Sequence, residues 1–133
     1  IGKAIHNIKN NLKIPIHAKM DHNNNVEYVG ERHWLHARNA SNATIFLFNH
    51  GTPGDHYNVV GKDQLHNDEI VKKIGDIIGK KPILEYVDFH KTRPGHDRRY
   101  ALDGNKLKNM GWQPPLDFEE SMRKTIEWTL SNE

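Results

Sequence analysis

"NDEIVKKIGDIIGKKPILEYVDF", residues 67–89, carries two periodicities in succession. Ile70, Val71, Ile74, Ile77 and Ile78 recur at spacings that place them on one helical face. Asn67 or Asp68 is positioned to cap the start, Gly79 to close the end, and Pro82 forbids continuation. "ILEYVDF" then alternates and is rich in β-branched and aromatic residues, which predicts a strand. A helix feeding a strand sets the class as mixed α and β.

Outward from this pair the chain keeps alternating. "IGKAIHNIKNNL" puts Ile1, Ile5, Ile8 and Leu12 on one helical face. "KIPIH" reads as a short strand, which Pro15 assigns to a sheet edge. Residues 21–31 read as a polar loop or loose hairpin, and "RHWLHA" as extended. "RNASNATIFLFNHG" predicts a helix ending at Gly51, with Ile45, Phe46, Leu47 and Phe48 covering most of its circumference, hence a helix buried on most sides. "HYNVVG" reads as a strand ending at Gly61. "GNKLKNMGW" predicts a brief helix closed by Gly111. The final helix starts at the cap Asp117, with Glu120 three residues on, and presents Phe118, Met122, Ile126 and Thr129 or Leu130. The expectation is one domain over residues 1–133, an α/β (α+β-like) unit of about five helices and few short strands.

Composition bounds the function. The chain has 133 residues, 35% hydrophobic and 27% charged, with net charge +2 and no run of five or more like charges. A core is affordable at this length, and bulk electrostatics do not suggest nucleic acid. There is no cysteine, which excludes disulfides, thiolate metal sites and cysteine nucleophiles. No apolar run is long enough to span a bilayer and no signal peptide is visible, so a cytoplasmic location is expected. The ten histidines form no metal-binding motif, and no glycine-rich dinucleotide turn follows a strand.

The candidate site is "TRPGHDRRYALD", residues 92–103. Arg93, Arg98 and Arg99 present planar forks suited to phosphate, and Pro94-Gly95 is a turn that lets backbone approach a ligand. His96 adds a further donor. The same residues equally suit an exposed loop of weak surface ion pairs. Arg32 precedes an apolar stretch, and Asn67 stands at a helix start, where caps are common and anions also bind.

"RPGHDRRYALDGNKLKNMGWQPPLDFEESMRKTIEWTL" closely resembles the C-terminal end of the dTDP-glucose 4,6-dehydratases, extended short-chain dehydrogenase/reductases of the nucleotide-sugar branch. "GERHWLHARNASNATIFLF", "GDHYNVVG" and "NDEIVKKIGDIIGK" continue the resemblance upstream. It implies a substrate-binding domain without the Rossmann half. It implies that Arg32 meets the nucleotide diphosphate, that Asn67 contacts the same ligand, and that Thr92, Arg93, Pro94, Gly95 and His96 close over it with Arg99 nearby. Pro15, Ile16 and His17 fall where the family packs on the base. His17 replaces the family's tyrosine, which leaves thymidine and uridine both open.

The family's catalytic Tyr-x-x-x-Lys and its NAD-binding turn have no counterpart here. The resemblance therefore implies no catalytic residue and no cofactor on this chain alone, with NAD in the parent enzyme. A nucleotide-diphosphate sugar is the expected partner. A separate Rossmann-domain chain or self-association is a further expectation. The alternatives are a 4-epimerase or UDP-glucuronate decarboxylase within the fold, and a standalone module that self-associates or binds another protein.

Overall fold

Residues 1–92 and 99–132 are described by the computed structural model, and they form two three-stranded sheets with six helices. In the first sheet β1 (Lys13–Met20) lies between β2 (Val26–Val29) and β5 (Ile83–Asp88). It runs antiparallel to β2 and parallel to β5, in register from Lys13 opposite Ile83 to Ala18 opposite Asp88. The β1–β2 hairpin turns through Asn24, whose φ is 61°, with the Asp21 carboxylate accepting the Asn23 and Asn25 backbone N–H groups. An asparagine tolerates that left-handed backbone better than most residues.

Strand alternation sends Ile14, Ile16 and Ala18 to one face of β1, where three helices cover them. These are α1 (Gly2–Lys9), α3 (Asn67–Ile78) and α6 (Phe118–Ser131). They bury Ile5 and Ile8, then Ile70, Val71 and Ile74, then Met122 and Ile126. A smaller cluster joins Ala43 of α2 (Ala37–His50), Leu107 of α5 (Asn105–Asn109) and Trp112. The second sheet, ordered β4-β3-β6, is made of β4 (Gln64–His66), β3 (Glu31–His33) and β6 (Arg99–Tyr100). The short α4 (Phe89–Thr92) leads out of β5.

Several expectations need correction. β1 is the central strand, yet Pro15 fits because β2 pairs only with Ala18 to Met20, leaving Pro15 with β5 as its one neighbour. "HYNVVG" is no strand, since neither sheet offers it a partner and side chains take its carbonyls instead. Lys106 donates to His56 O and His33 contacts Gly61 O. α2 is not buried on most sides: Ile45 is 63% and Phe48 91% exposed. Ile1 and Leu12 also lie exposed at the ends of the α1 stripe. The cap of α3 is His66 rather than Asn67 or Asp68, while Gly79 closes the helix at φ 76° as expected.

Ile74 is 0% exposed at the centre of the larger core. Ile74→Ala is expected to lower unfolding free energy by about 2–5 kcal/mol in urea titrations. Ile45→Ala, on the open face of α2, is expected to change it by less than about 0.5 kcal/mol.

Candidate functional site

The site is organised by β3. Its Glu31 stands opposite His66 of β4 and Arg99 of β6, and its Arg32 opposite Leu65 and Tyr100. Because successive side chains alternate faces, Arg32, Leu65 and Tyr100 share one face, and Glu31, His66 and Arg99 the other. The two described arginines of the candidate set are thus neighbours in sequence register but point to opposite sides of the sheet.

Their surroundings differ accordingly. Arg99 Nε lies 3.2 Å from Glu31 Oε1, and Arg99 donates through Nη2 to Gln64 Oε1 at 2.9 Å. The other carboxylate oxygen of Glu31 faces His66 Nε2 at 4.0 Å. Arg99 is therefore committed to its neighbours. The Arg32 guanidinium lies 4.8 Å from the centroid of the Tyr100 ring, a cation–π contact, and no ion pair engages it among the described residues.

Asn67 opens α3, and its backbone N–H donates to Gly30 O at 2.9 Å, directly before β3. The neighbouring His66 binds Val29 O through Nδ1 at 2.9 Å, and its backbone N–H donates to Glu69 Oε2 at 2.7 Å. These bonds fix the helix head to the β2–β3 junction, with the Asn67 side chain half-buried.

The other candidates are dispersed. Pro15, Ile16 and His17 lie in the first sheet. Ile16 points into the core, so its side chain is unavailable to a ligand, while Pro15 and His17 occupy the opposite, more open face. Thr92 ends α4, and Arg93, Pro94, Gly95 and His96 lie outside the described residues. Sequence reading missed Glu31, Gln64, His66 and Tyr100. Their roles come from strand register across the second sheet, which leaves no local signature. Among the described residues no metal-binding cluster occurs, and no helix is long and apolar enough to cross a membrane.

One residue into α3, Asp68 is nearly buried and accepts from Lys72 Nζ at 2.8 Å and Tyr86 OH at 3.1 Å. Burial pushes its carboxyl upward, but the Lys72 and Tyr86 hydrogen bonds outweigh this and hold it below the usual range. Burial beside Asp68 raises the Tyr86 phenol, and the Asp68 hydrogen bond raises Lys72. The triad links α3 to β5.

Comparison with known proteins places this geometry. No family model matches the chain. Over 107 residues it is 36% identical to dTDP-glucose 4,6-dehydratase 1 of Escherichia coli K12, covering 76% of this chain and 30% of that protein. It is 38% identical over 111 residues to the Haemophilus influenzae dTDP-glucose 4,6-dehydratase, with 76% and 33% covered. The crystal structure of the Bacillus anthracis dTDP-glucose 4,6-dehydratase in complex with NAD superposes with a TM-score of 0.81 at 30% identity. That match covers 98% of this chain and 38% of the other. A variant of the Bacillus cereus UDP-glucuronic acid 4-epimerase, solved with a UDP-linked sugar and NAD, shares the fold at TM-score 0.80 and 14% identity, covering 98% and 39%. The chain spans about a third of the length of the curated relatives it matches.

The folded pKa of Asp68 lies below its unfolded value, so its stabilising contribution is complete above the unfolded value of about 3.9 and fades as pH falls below it. Asp68→Asn is expected to lower stability at neutral pH and to flatten the loss of stability on acidification below about pH 5. Urea midpoints of both proteins across that range check it.

Proposed function

Because this chain matches the C-terminal portion of the dTDP-glucose 4,6-dehydratases in sequence and fold, we propose that it is the substrate-binding part of such an enzyme and holds the diphosphate of a nucleotide sugar. The observation that carries the reading is the state of Arg32. The Tyr100 ring beside its guanidinium holds it by a cation–π contact and takes none of the acceptor places that a bidentate anion would fill. The head of α3, with Asn67, is tied to the residue just before β3 and offers further donors beside it.

In this reading Thr92, Arg93, Pro94, Gly95 and His96 supply the segment that closes over the phosphates. Arg99 acts on that segment by anchoring the strand that follows it through Glu31 and Gln64. Pro15 and His17, on the open face of β1, are assigned to the base, with thymidine and uridine both compatible. The residues present do not fit a dinucleotide: β4 runs into α3 through His66 and Asn67 with no glycine between, so that turn cannot cradle a pyrophosphate by backbone alone. No Tyr-x-x-x-Lys occurs in the sequence either. The chain alone is therefore assigned binding without turnover. A 4-epimerase sibling has comparable fold support but lower identity, 14–21% against 24–30% in the solved structures.

Titration of the chain with dTDP-glucose, UDP-glucose and NAD, followed by NMR, tests the reading. The expectation is about millimolar affinity for a nucleotide sugar, with shifts at Arg32, Asn67 and Tyr100 and none with NAD. Arg32→Ala is expected to weaken binding about tenfold or more, the scale of a charge-assisted hydrogen bond, without unfolding the chain. Unchanged spectra around Arg32 at saturating nucleotide sugar overturn it.

A further inference from the structure

Three helices of this chain begin at a residue whose side chain is hydrogen-bonded, and the three differ in chemistry. α6 starts at Asp117, whose carboxylate accepts the Glu120 N–H at 2.7 Å, with Glu119 and Glu120 in the first turn. α3 starts at His66, whose Nδ1 lies 2.9 Å from Val29 O. A carbonyl only accepts, so this nitrogen carries the proton. Its Nε2 faces Glu31 Oε2 at 4.0 Å, so a second proton on the ring meets a carboxylate. α2 starts at His36, where the demand is reversed: Nδ1 accepts the Arg38 N–H at 3.1 Å. That bond needs a lone pair on Nδ1, hence a neutral ring with its proton on Nε2.

We propose that His36 is a proton-released latch on the head of α2. A proton added to the neutral ring goes to Nδ1. It turns the acceptor into a donor facing the Arg38 N–H and puts a positive charge at the positive pole of the helix. The first turn of α2 offers no compensation: it contains no acid, and Arg38 is itself a cation. The other charged residues around the same groove are Lys62 and Asp63, just ahead of β4, and Asp117, Glu120 and Lys124 at the start of α6. With Arg38 they balance in sign, so the pairing at Nδ1 decides the response. Asp117 and Glu120 are moreover committed, to the Glu120 N–H and to Lys124 Nζ at 3.6 Å.

Neighbouring bonds set how far the release travels. Upstream, the Trp34 backbone N–H donates to Asp63 O and its indole to Leu65 O, both at 3.2 Å. These bonds keep β3, and with it Arg32, in place. Downstream, Asn39 lies in the same first turn and is 4% exposed. It donates through Nδ2 to Leu116 O at 2.8 Å and accepts the Leu116 N–H through Oδ1 at 3.0 Å. Fraying of the first turn therefore reaches the segment that leads into α6. The groove of roughly 800 Å³ lined by the head of α2, residues 113–117 and α6 then loses one wall. Acid opens this face of the molecule, while His66, given the same proton, gains an ion pair with Glu31.

NMR of the whole chain without ligand, from about pH 8 to about pH 5, where histidine changes charge, tests the proposal. At the upper end the ring ¹⁵N shifts should place the proton of His36 on Nε2 and that of His66 on Nδ1. Amide exchange, corrected for its intrinsic pH dependence, gives the second readout. Protection of the Arg38 and Leu116 amides should fall about fivefold as His36 titrates, the scale of one lost helix cap, and that of Glu120 should hold. His36→Asp, whose carboxylate accepts across the whole range, should abolish the fall. His36→Ala should show the low protection at both ends. Circular dichroism checks that each variant is folded. A proton on Nδ1 of His36 at about pH 8, Arg38 protection that stays constant while His36 titrates, or an equal fall in His36→Asp overturns the proposal. None of these results bears on the nucleotide-sugar titration, which reads Arg32 and Asn67.

Discussion

The parallel pairing of β1 with β5 is the constraint from which the remaining architecture follows. It joins residues 13–18 to residues 83–88, so the intervening chain must form a crossover. The entropy of closing so long a loop grows only slowly with its length, and the apolar face of the closed pair provides the return. Ile14, Ile16 and Ala18 make the floor on which α1, α3 and α6 settle. The two strands also deliver the second sheet. β1 turns through β2 directly into β3, and β5 passes through α4 toward β6, which then lies parallel to β3.

On that second sheet the charge is divided by the pleat. One face neutralises its arginine internally, with Glu31, Gln64 and Arg99 contributed by three different strands. The other leaves Arg32 with an aromatic support and no described counter-charge. A guanidinium already held by a carboxylate has to give up that partner before it can take a phosphate, whereas one held by a ring has no acceptor to give up when an anion arrives. This asymmetry distinguishes the two arginines more sharply than their sequence contexts do. It assigns Arg99 to holding the sheet together and Arg32 to the ligand in the proposed reading.

Much of the framework was legible because its signals are local. The α3 stripe from Ile70 to Ile78, the Gly79 stop, the β5 alternation and the Asp117 cap of α6 all appear where their spacing puts them. The failures share one physical cause, dependence on a partner distant in the chain. "HYNVVG" has strand composition, but a strand exists only where another backbone pairs with it, and residues 56–61 have none in either sheet. β4 has weak composition and is a strand because Glu31, Arg32 and His33 lie opposite it. Pro15 signals an edge correctly for its own half of β1 and wrongly for the strand as a whole. In the site, arginines can be listed from sequence, but which face each occupies depends on the β3–β6 register. Glu31 and Gln64 acquire their roles only through it.

The same division bears on how strongly the chain alone can hold a ligand. A charge-assisted hydrogen bond contributes about 1.5–3 kcal/mol, and one guanidinium fork beside a helix head offers few of them. Immobilising a flexible sugar nucleotide opposes this with several kcal/mol of lost freedom. What Arg32 gains over a solvated surface arginine is orientation, because Tyr100 already restricts the rotation of its guanidinium and less freedom is lost on binding. The head of α3 is fixed in the same way by the bonds from Asn67 and His66 to Gly30 and Val29. Both groups thus sit on rigid strand and helix ends before any ligand arrives. In the proposed reading the sheet's chief contribution is this preorganisation, and the modest number of contacts sets the ceiling on affinity.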